Sequence, residues 1–306
     1  MKRNGLKSNF RKGIVRHWQL YLLLLIPVAW LIIFRYYPMY GLQIAFRDFN
    51  PGQGIFGSRW AGTKYFKLFF NSPNFTRLFS NTLLLSLYSI LASTPIPIIL
   101  AISMNECRKR FFSKTVQMVT YMPFFISTVI LVAMLVQMTS SFGLLNNVLQ
   151  LLRMEKVNVM GNPANFRHLY VWSGIWQGAG YSAVIYIAAL SGISNELYEA
   201  AKIDGASIIQ KIWHVDLPSI MPTAIILLIL GAGNLLNIGY EKVFLMQNPV
   251  NMSVSDIIST HVYRVGLESA QFSYSAAIGF FNSVVSTIII IIVNGIAKKV
   301  SETSLW

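Results

Sequence analysis

The sequence predicts an all-α polytopic membrane protein with six transmembrane helices and both termini in the cytoplasm. Three observations carry this. Of 306 residues, 54% are hydrophobic and 12% charged, whereas a soluble domain carries about 25% charged residues, so the chain is too poor in charge to cover a water-facing surface. Six apolar runs, roughly 18–38, 78–103, 115–138, 168–190, 219–240 and 276–297, each approach the roughly 20 residues that span a bilayer. An even number of crossings puts both termini on one side, and the density of Lys and Arg makes that side the cytoplasm.

Residues 1–17 form a basic cytoplasmic segment (Lys2, Arg3, Lys7, Arg11, Lys12, Arg16). The apolar stretch from Trp18 to Tyr37 is long enough to span, ends in aromatics and lacks a small-x-small cleavage site before Pro38, so it reads as an uncleaved first helix. Arg108, Lys109, Arg110 and Lys114 crowd the tight loop between the second and third runs, and Lys298 and Lys299 open a cytoplasmic tail over 298–306. The transmembrane domain thus occupies 18–297. The net charge of +14 would suggest nucleic acid in a soluble chain; in a membrane protein it belongs to cytoplasmic loops and anionic lipid. Membrane lipid is the expected partner and nucleic acid is not.

The fourth run is the least regular, because Trp172, Ser173, Gln177 and Ser182 interrupt it, and its Gly174-Ile175-Trp176-Gln177-Gly178 stretch suits a close helix contact. Three outer loops, about 41–77, 139–167 and 241–275, are long. Within them Gly143 to Leu149 has the spacing of a short amphipathic interfacial helix. Arg264 and Glu268 stand four apart, as an exposed ion pair would.

Several chemistries are disfavoured. Gly57 to Lys64 imitates a phosphate loop, but a true one ends Gly-Lys-Ser/Thr and here the order is Gly-Thr-Lys. No ATP, metal or other cofactor is expected on this chain. Cys107 is the one cysteine, which excludes an intramolecular disulfide, and the four histidines lack metal-ligand spacing. No nucleophile or acid–base cluster appears, so the chain is not expected to be an enzyme.

The most informative segment lies between the fourth and fifth runs, in a loop over 191–218. Glu199-Ala200-Ala201-Lys202-Ile203-Asp204-Gly205 is followed, nine residues on, by Val215-Asp216-Leu217-Pro218. Ser194 can cap a helix whose first turn holds Glu196, and Gly205 can end it in a left-handed conformation. Ser207 can cap a second helix, with Ile208, Ile212 and Val215 on one face and Ile209 and Trp213 beside them. Pro218 and Pro222 suit the first turn of the fifth span. Two helices shorter than about 12 residues need a surface to pack on.

This pattern resembles the cytoplasmic signature loop of permease subunits of ABC importers, with Val215 where isoleucine is commoner. His17 to Leu22, Tyr37 to Gly41 with Ala45-Phe46, Tyr263 to Leu267, Phe272 to Gly279 and Lys298 to Glu302 resemble the aldouronate and rhamnogalacturonan-type oligosaccharide permeases. The resemblance implies a type I ABC importer permease-like fold in a bacterial cell membrane. It implies a second, related permease as partner, two cytoplasmic ATPases that carry the ATP and Mg, and an extracellular binding protein that delivers an oligosaccharide. By the same resemblance Glu199 makes polar contacts with the ATPase, Ala200 and Ala201 allow close approach, and Gly205 forms the bend. Leu217 and Pro218 fix how the loop joins the fifth span, and Asp204, Ser207 and Trp213 belong to the same docking element. The cargo class is carbohydrate, with acidic and neutral sugars both open.

Polar and aromatic groups inside spans face a bundle interior or a wet cavity. Asn234, Asn237 and Glu241 are spaced for one face of the fifth span, and Trp172, Trp176 and Gln177 for the fourth; amides, a carboxylate and rings suit a glycan pathway. The competing reading is an ATP-independent transporter or channel for another small polar solute, in which the 191–218 loop is ordinary cytoplasmic structure. No convincing inverted repeat of the secondary-transporter kind favours it.

Overall fold

A computed structural model describes residues 17–107, 109–301, 304 and 305. The basic segment predicted over 1–17 lies, except for His17, outside the described residues, as do Arg108 and, in the tail, residues 302, 303 and 306.

The regular structure of the described residues is helical apart from a short antiparallel ribbon of β1 (Arg47–Asp48) and β2 (Arg59–Trp60). Helix α1 (Trp18–Phe46) passes Pro27, widens into a π turn at Ile32–Tyr36 just before Pro38 and tightens into a 3-10 turn at Tyr40–Phe46. Proline removes a helical donor, and such turns absorb the loss. Between Trp18 and Met39 no residue is buried. After the ribbon come α2 (Lys64–Phe70), α3 (Phe75–Glu106), α4 (Arg110–Tyr121), α5 (Thr128–Thr139) and α6 (Leu144–Leu151). Helices α7 (Pro163–Ser191), α8 (Asn195–Ile203) and α9 (Ile208–Gly233) follow. Three short helices, α10 (Tyr240–Met246), α11 (Met252–Ser255) and α12 (Ile258–Tyr263), lead to α13 (Phe272–Ser301).

Five helical stretches are long and apolar enough to cross a membrane: Trp18–Phe46, Phe75–Glu106, Thr128–Leu151, Ile208–Gly233 and Phe272–Ser301. Helix α7, the irregular fourth run, has the length but not the composition: its 29 residues reach about 43 Å, past a hydrocarbon core of about 30 Å. It is also the hub, packing on α3, α4 and α9. Its Phe166, Tyr170, Val171 and Ile175 share one apolar cluster with Leu85, Val132 and Val243, and its Ala183, Tyr186 and Leu190 share another with Ala101 and Ile220.

Four expectations change. The third run, read as one helix over 115–138, is broken: α4 ends in a 3-10 turn at Met122–Phe125 containing Pro123, and Ser127 caps α5 by accepting from the Ile130 amide. The fifth helix runs over Ile208–Gly233 rather than 219–240. It starts early because a π turn at Ile212–Asp216 accommodates Pro218 and fuses the second loop helix to the span. It stops early where Gly231 and Gly233 weaken it and Asn234 caps it. Consequently Asn234, Asn237 and Glu241 do not line one helix face: they fall at a cap, in a turn and in the first turn of α10. The close contact read for Gly174–Gly178 holds at Gly174, where a Cβ would lie 3.2 Å from Nζ of Lys242 on α10, but not at Gly178, where one meets nothing within 4 Å; the tightest approach lies just beyond, at Gly180 against the Thr120 carbonyl of α4. Finally, Arg264 pairs with the buried Asp256 at 2.6 Å instead of with Glu268, because a π turn at Arg264–Glu268 intervenes.

Polar side chains hold the remaining contacts, as expected where lipid removes the hydrophobic drive for helices to associate. Ser86 of α3 donates to the Leu235 carbonyl, and Asn282 of α13 donates to the Asn237 side chain at 2.7 Å. Asp256 also meets Arg77 at 3.5 Å, and Asn81 donates to the Asp256 carbonyl at 3.0 Å, which fastens the α10–α12 cap onto the start of α3.

Candidate functional site

The 191–218 loop is built from local signals that are all satisfied. Ser194 caps α8 by accepting from the Glu196 amide at 3.3 Å, and Glu196 lies in the positive first turn. At the far end Gly205 takes φ +71, its amide donates to the Lys202 carbonyl, and the Ala206 amide donates to the Ala201 carbonyl at 2.9 Å. This is the paired closure of a Schellman motif, which needs a left-handed residue at that point. Two residues on, Ser207 and Gln210 form a reciprocal capping box that starts α9. The bend between α8 and α9 is therefore fixed by backbone bonds.

Two contacts brace that bend against the bundle. The Tyr198 hydroxyl donates to Asp216 at 2.7 Å, and Asp216 is fully buried. Burial, reinforced by the Asp216 carboxylate, raises the Tyr198 phenol pKa well above its ordinary value. Lys211 pairs with Glu106 of α3 at 2.6 Å and lies 5.4 Å over the Tyr198 ring. The half-buried Lys211–Glu106 pair puts the loop beside the end of α3 remote from Arg77.

On the outside of the brace Glu199, Ala200, Asp204, Gly205, Ser207, Trp213 and Pro218 are exposed, with Ala201 and Leu217 half-buried. Ile203 is 85% and Trp213 63% exposed, and Leu197, Ile208 and Ile209 are also open. A cleft of about 460 Å³ runs between α8 and the start of α9, lined by Ala200, Ala201, Gly205 and Lys211 among others. Charged residues surrounding an exposed apolar patch on a rigid hinge describe a contact surface.

The residues proposed for a pathway are scattered. Trp172 and Trp176 line a groove of about 640 Å³ with Leu131, Met134, Leu135 and Met138 of α5. Trp172 donates to the Tyr88 hydroxyl at 3.0 Å, and that hydroxyl is 2.9 Å from Nδ1 of His168. Gln177 does not join them: it donates to the Ile126 carbonyl at 2.7 Å, satisfying the acceptor freed by the α4–α5 break. Asn234 donates to the Leu230 carbonyl at 3.2 Å, Asn237 accepts from Asn282, and Glu241 is exposed.

Sequence reasoning passed over Tyr88, Tyr198, Asp216 and Lys242. Tyr198 and Asp216 are 18 residues apart: Tyr198 precedes the Glu199–Pro218 motif, and Asp216 fills the position between Val215 and Leu217 to which the sequence alone assigns no role. Lys242 is buried on α10, where its ammonium donates to the Tyr170 carbonyl at 2.8 Å and lies 4.8 Å from the Tyr170 ring. Burial pushes its pKa down to about 8. The one available signal was a lysine directly before the apolar string Val243-Phe244-Leu245.

Comparison with known proteins places these features. The family described as "Binding-protein-dependent transport system inner membrane component" matches residues 93–302. The chain is 40% identical over 294 residues to the polygalacturonan/rhamnogalacturonan transport system permease protein YteP of Bacillus subtilis, covering 96% of this chain and 92% of that protein. It is 41% identical over 303 residues to protein LplB of the same organism, covering 99% and 95%. Among solved structures, a bacterial ABC transporter involved in import of the acidic polysaccharide alginate superposes with TM-score 0.88 at 38% identity, over 96% of this chain and 99% of that one. The same transporter type, in complex with an alginate pentasaccharide-bound periplasmic protein, matches with TM-score 0.88 at 37% identity.

Proposed function

The chain belongs to the family of binding-protein-dependent transport system inner membrane components, and we propose that it is the permease subunit of an ATP-driven importer for acidic, uronate-containing oligosaccharides. Relatives named for polygalacturonan and alginate transport support the cargo class. The observation that carries the mechanism is the 191–218 hinge: a bend closed by its own backbone, braced to the bundle, and presenting an unburied apolar patch with Trp213 and Ile203.

On this reading six crossings, α1, α3, the broken α4–α5 pair, α7, α9 and α13, make up the 18–297 domain. Both termini and the 191–218 loop then face the cytoplasm, and the Lys211–Glu106 contact agrees with this by tying the loop to the inner end of α3. The broad apolar face of α1, with nothing buried from Trp18 to Met39, supports packing against a second, related permease. The binding protein docks on the outer α10–α12 side, and ATP with Mg is held by two partner ATPases.

In this mechanism the ATPase cleft receives α8. Glu199 makes the polar contact, Ala200 and Ala201 permit close approach, and Asp204, Gly205 and Ser207 fix the bend. Trp213 fills the apolar contact, and Leu217 and Pro218 pass the motion into α9. When ATP closes the two ATPases, the docked loops move with them. Because Tyr198–Asp216 and Lys211–Glu106 connect the loop to α9 and α3, it moves those spans as a unit. The coupling is reciprocal, so a loaded binding protein at the outer face alters ATPase turnover.

A Glu199→Lys/Gly205→Val double variant tests this. It is expected to remain in the membrane and to lose oligosaccharide uptake, measured with labelled oligogalacturonate in proteoliposomes containing all subunits. Wild-type uptake by the well-inserted variant would sink the docking role.

A further inference from the structure

Among the described residues Lys242 is the only buried lysine or arginine, 8% exposed, and it enters no ion pair. An ammonium has three donors; one reaches the Tyr170 carbonyl, and the Tyr170 ring adds a cation–π contact. A buried charge without a counter-charge is costly, and a methionine of similar length would fill the same volume without that cost.

At Gly174, on its α7 side, the ammonium packs against a glycine rather than a side chain. A Cβ on Gly174 would lie 3.2 Å from Lys242 Nζ, so any other residue there would cover it. Gly178, one turn further along α7, opens onto free space, since a Cβ there meets nothing within 4 Å. Gly174 and Gly178, four residues apart on one face of α7, thus leave that face without side chains beside the amine and one turn beyond it. The exposed Asn237 and Glu241 lie on the same chain segment as Lys242, just before α10 and in its first turn.

We propose that the Lys242 ammonium is a binding site for a sugar carboxylate inside the translocation pathway, reached along the Gly174–Gly178 face of α7. The proposal rests on the acidic-oligosaccharide reading above and adds the residue that distinguishes a uronate from a neutral sugar after release from the binding protein. A carboxylate arriving at Nζ takes up the unused donors and supplies the missing counter-charge. Weak holding by one cation suits a pathway, which must release what it binds.

The test uses the complete transporter in proteoliposomes, with binding protein, and two probes of equal length: an oligogalacturonate and its methyl-esterified, neutral form. Lys242→Met is expected to lower uptake of the acid about tenfold, the scale of one charge-assisted bond, while uptake of the ester stays at the wild-type level. Lys242→Arg, which keeps the charge, is expected to retain preference for the acid. Unchanged acid uptake by Lys242→Met overturns the proposal, and so does an equal loss for both probes, which would mark a structural lysine. Should Lys242→Met fail to assemble, Lys242→Arg decides: assembly without acid preference overturns the proposal, and assembly with it supports the site. A wild-type transporter that moves the ester but not the acid would instead overturn the acidic-substrate reading itself.

Discussion

Helices α1 and α7 both contain 29 residues, yet α1 buries nothing between Trp18 and Met39 while α7 buries ten residues. Their compositions run opposite to the rule for soluble proteins. The more apolar helix is on the outside, and the helix carrying Arg167, His168, Ser173, Gln177 and Gly180 is the hub. Lipid satisfies an apolar surface without help from protein, whereas polar and small residues have a use only against neighbours. Arg167 donates to Asn81 at 3.1 Å, Gln177 supplies the Ile126 carbonyl, and Gly180 admits the α4 backbone.

The largest expected effect is at that hub. Gly180→Val places a branched side chain where Thr120 already stands, with backbone rather than a movable side chain in the way. Overpacking of this kind costs about 1–3 kcal/mol or more, so the purified complex should lose most of its melting stability or fail to assemble. A Leu23→Ala/Leu24→Ala pair on α1 is the counterpart. In the singly expressed chain it should change stability by less than about 0.5 kcal/mol, as for surface sites, read from thermal melts in detergent. A loss on α1 equal to that of Gly180→Val would break the comparison.

How legible these features were follows from where their causes lie. The 191–218 hinge could be read because its determinants are local: Ser194, Gly205 and Ser207 act within a few residues, and each takes the cap or turn its chemistry requires. Four of the six apolar runs, the first, second, fifth and sixth, largely overlap helical stretches of spanning length and composition for the same reason, and the third overlaps one only over 128–138. The ends of the third and fifth runs were misread because hydropathy does not register a break at Pro123 or a stop after Gly231 and Gly233. Lys242, Tyr198–Asp216 and Asp256–Arg264 were not legible, since their partners come from other elements or from a register that a π turn shifts. The pathway residues were dispersed for a related reason: an i, i+3, i+7 pattern has meaning only while the helix continues, and α9 ends at Gly233.

The central claim, that the hinge docks on an ATPase, is tested most directly by proximity. An Ala201→Cys variant in a Cys107→Ser background, labelled with a benzophenone maleimide and irradiated within the assembled transporter, should form an adduct with the ATPase subunit, in a yield that changes when ATP is added. Adducts with lipid or permease alone, from a complex that still hydrolyses ATP, would contradict the account.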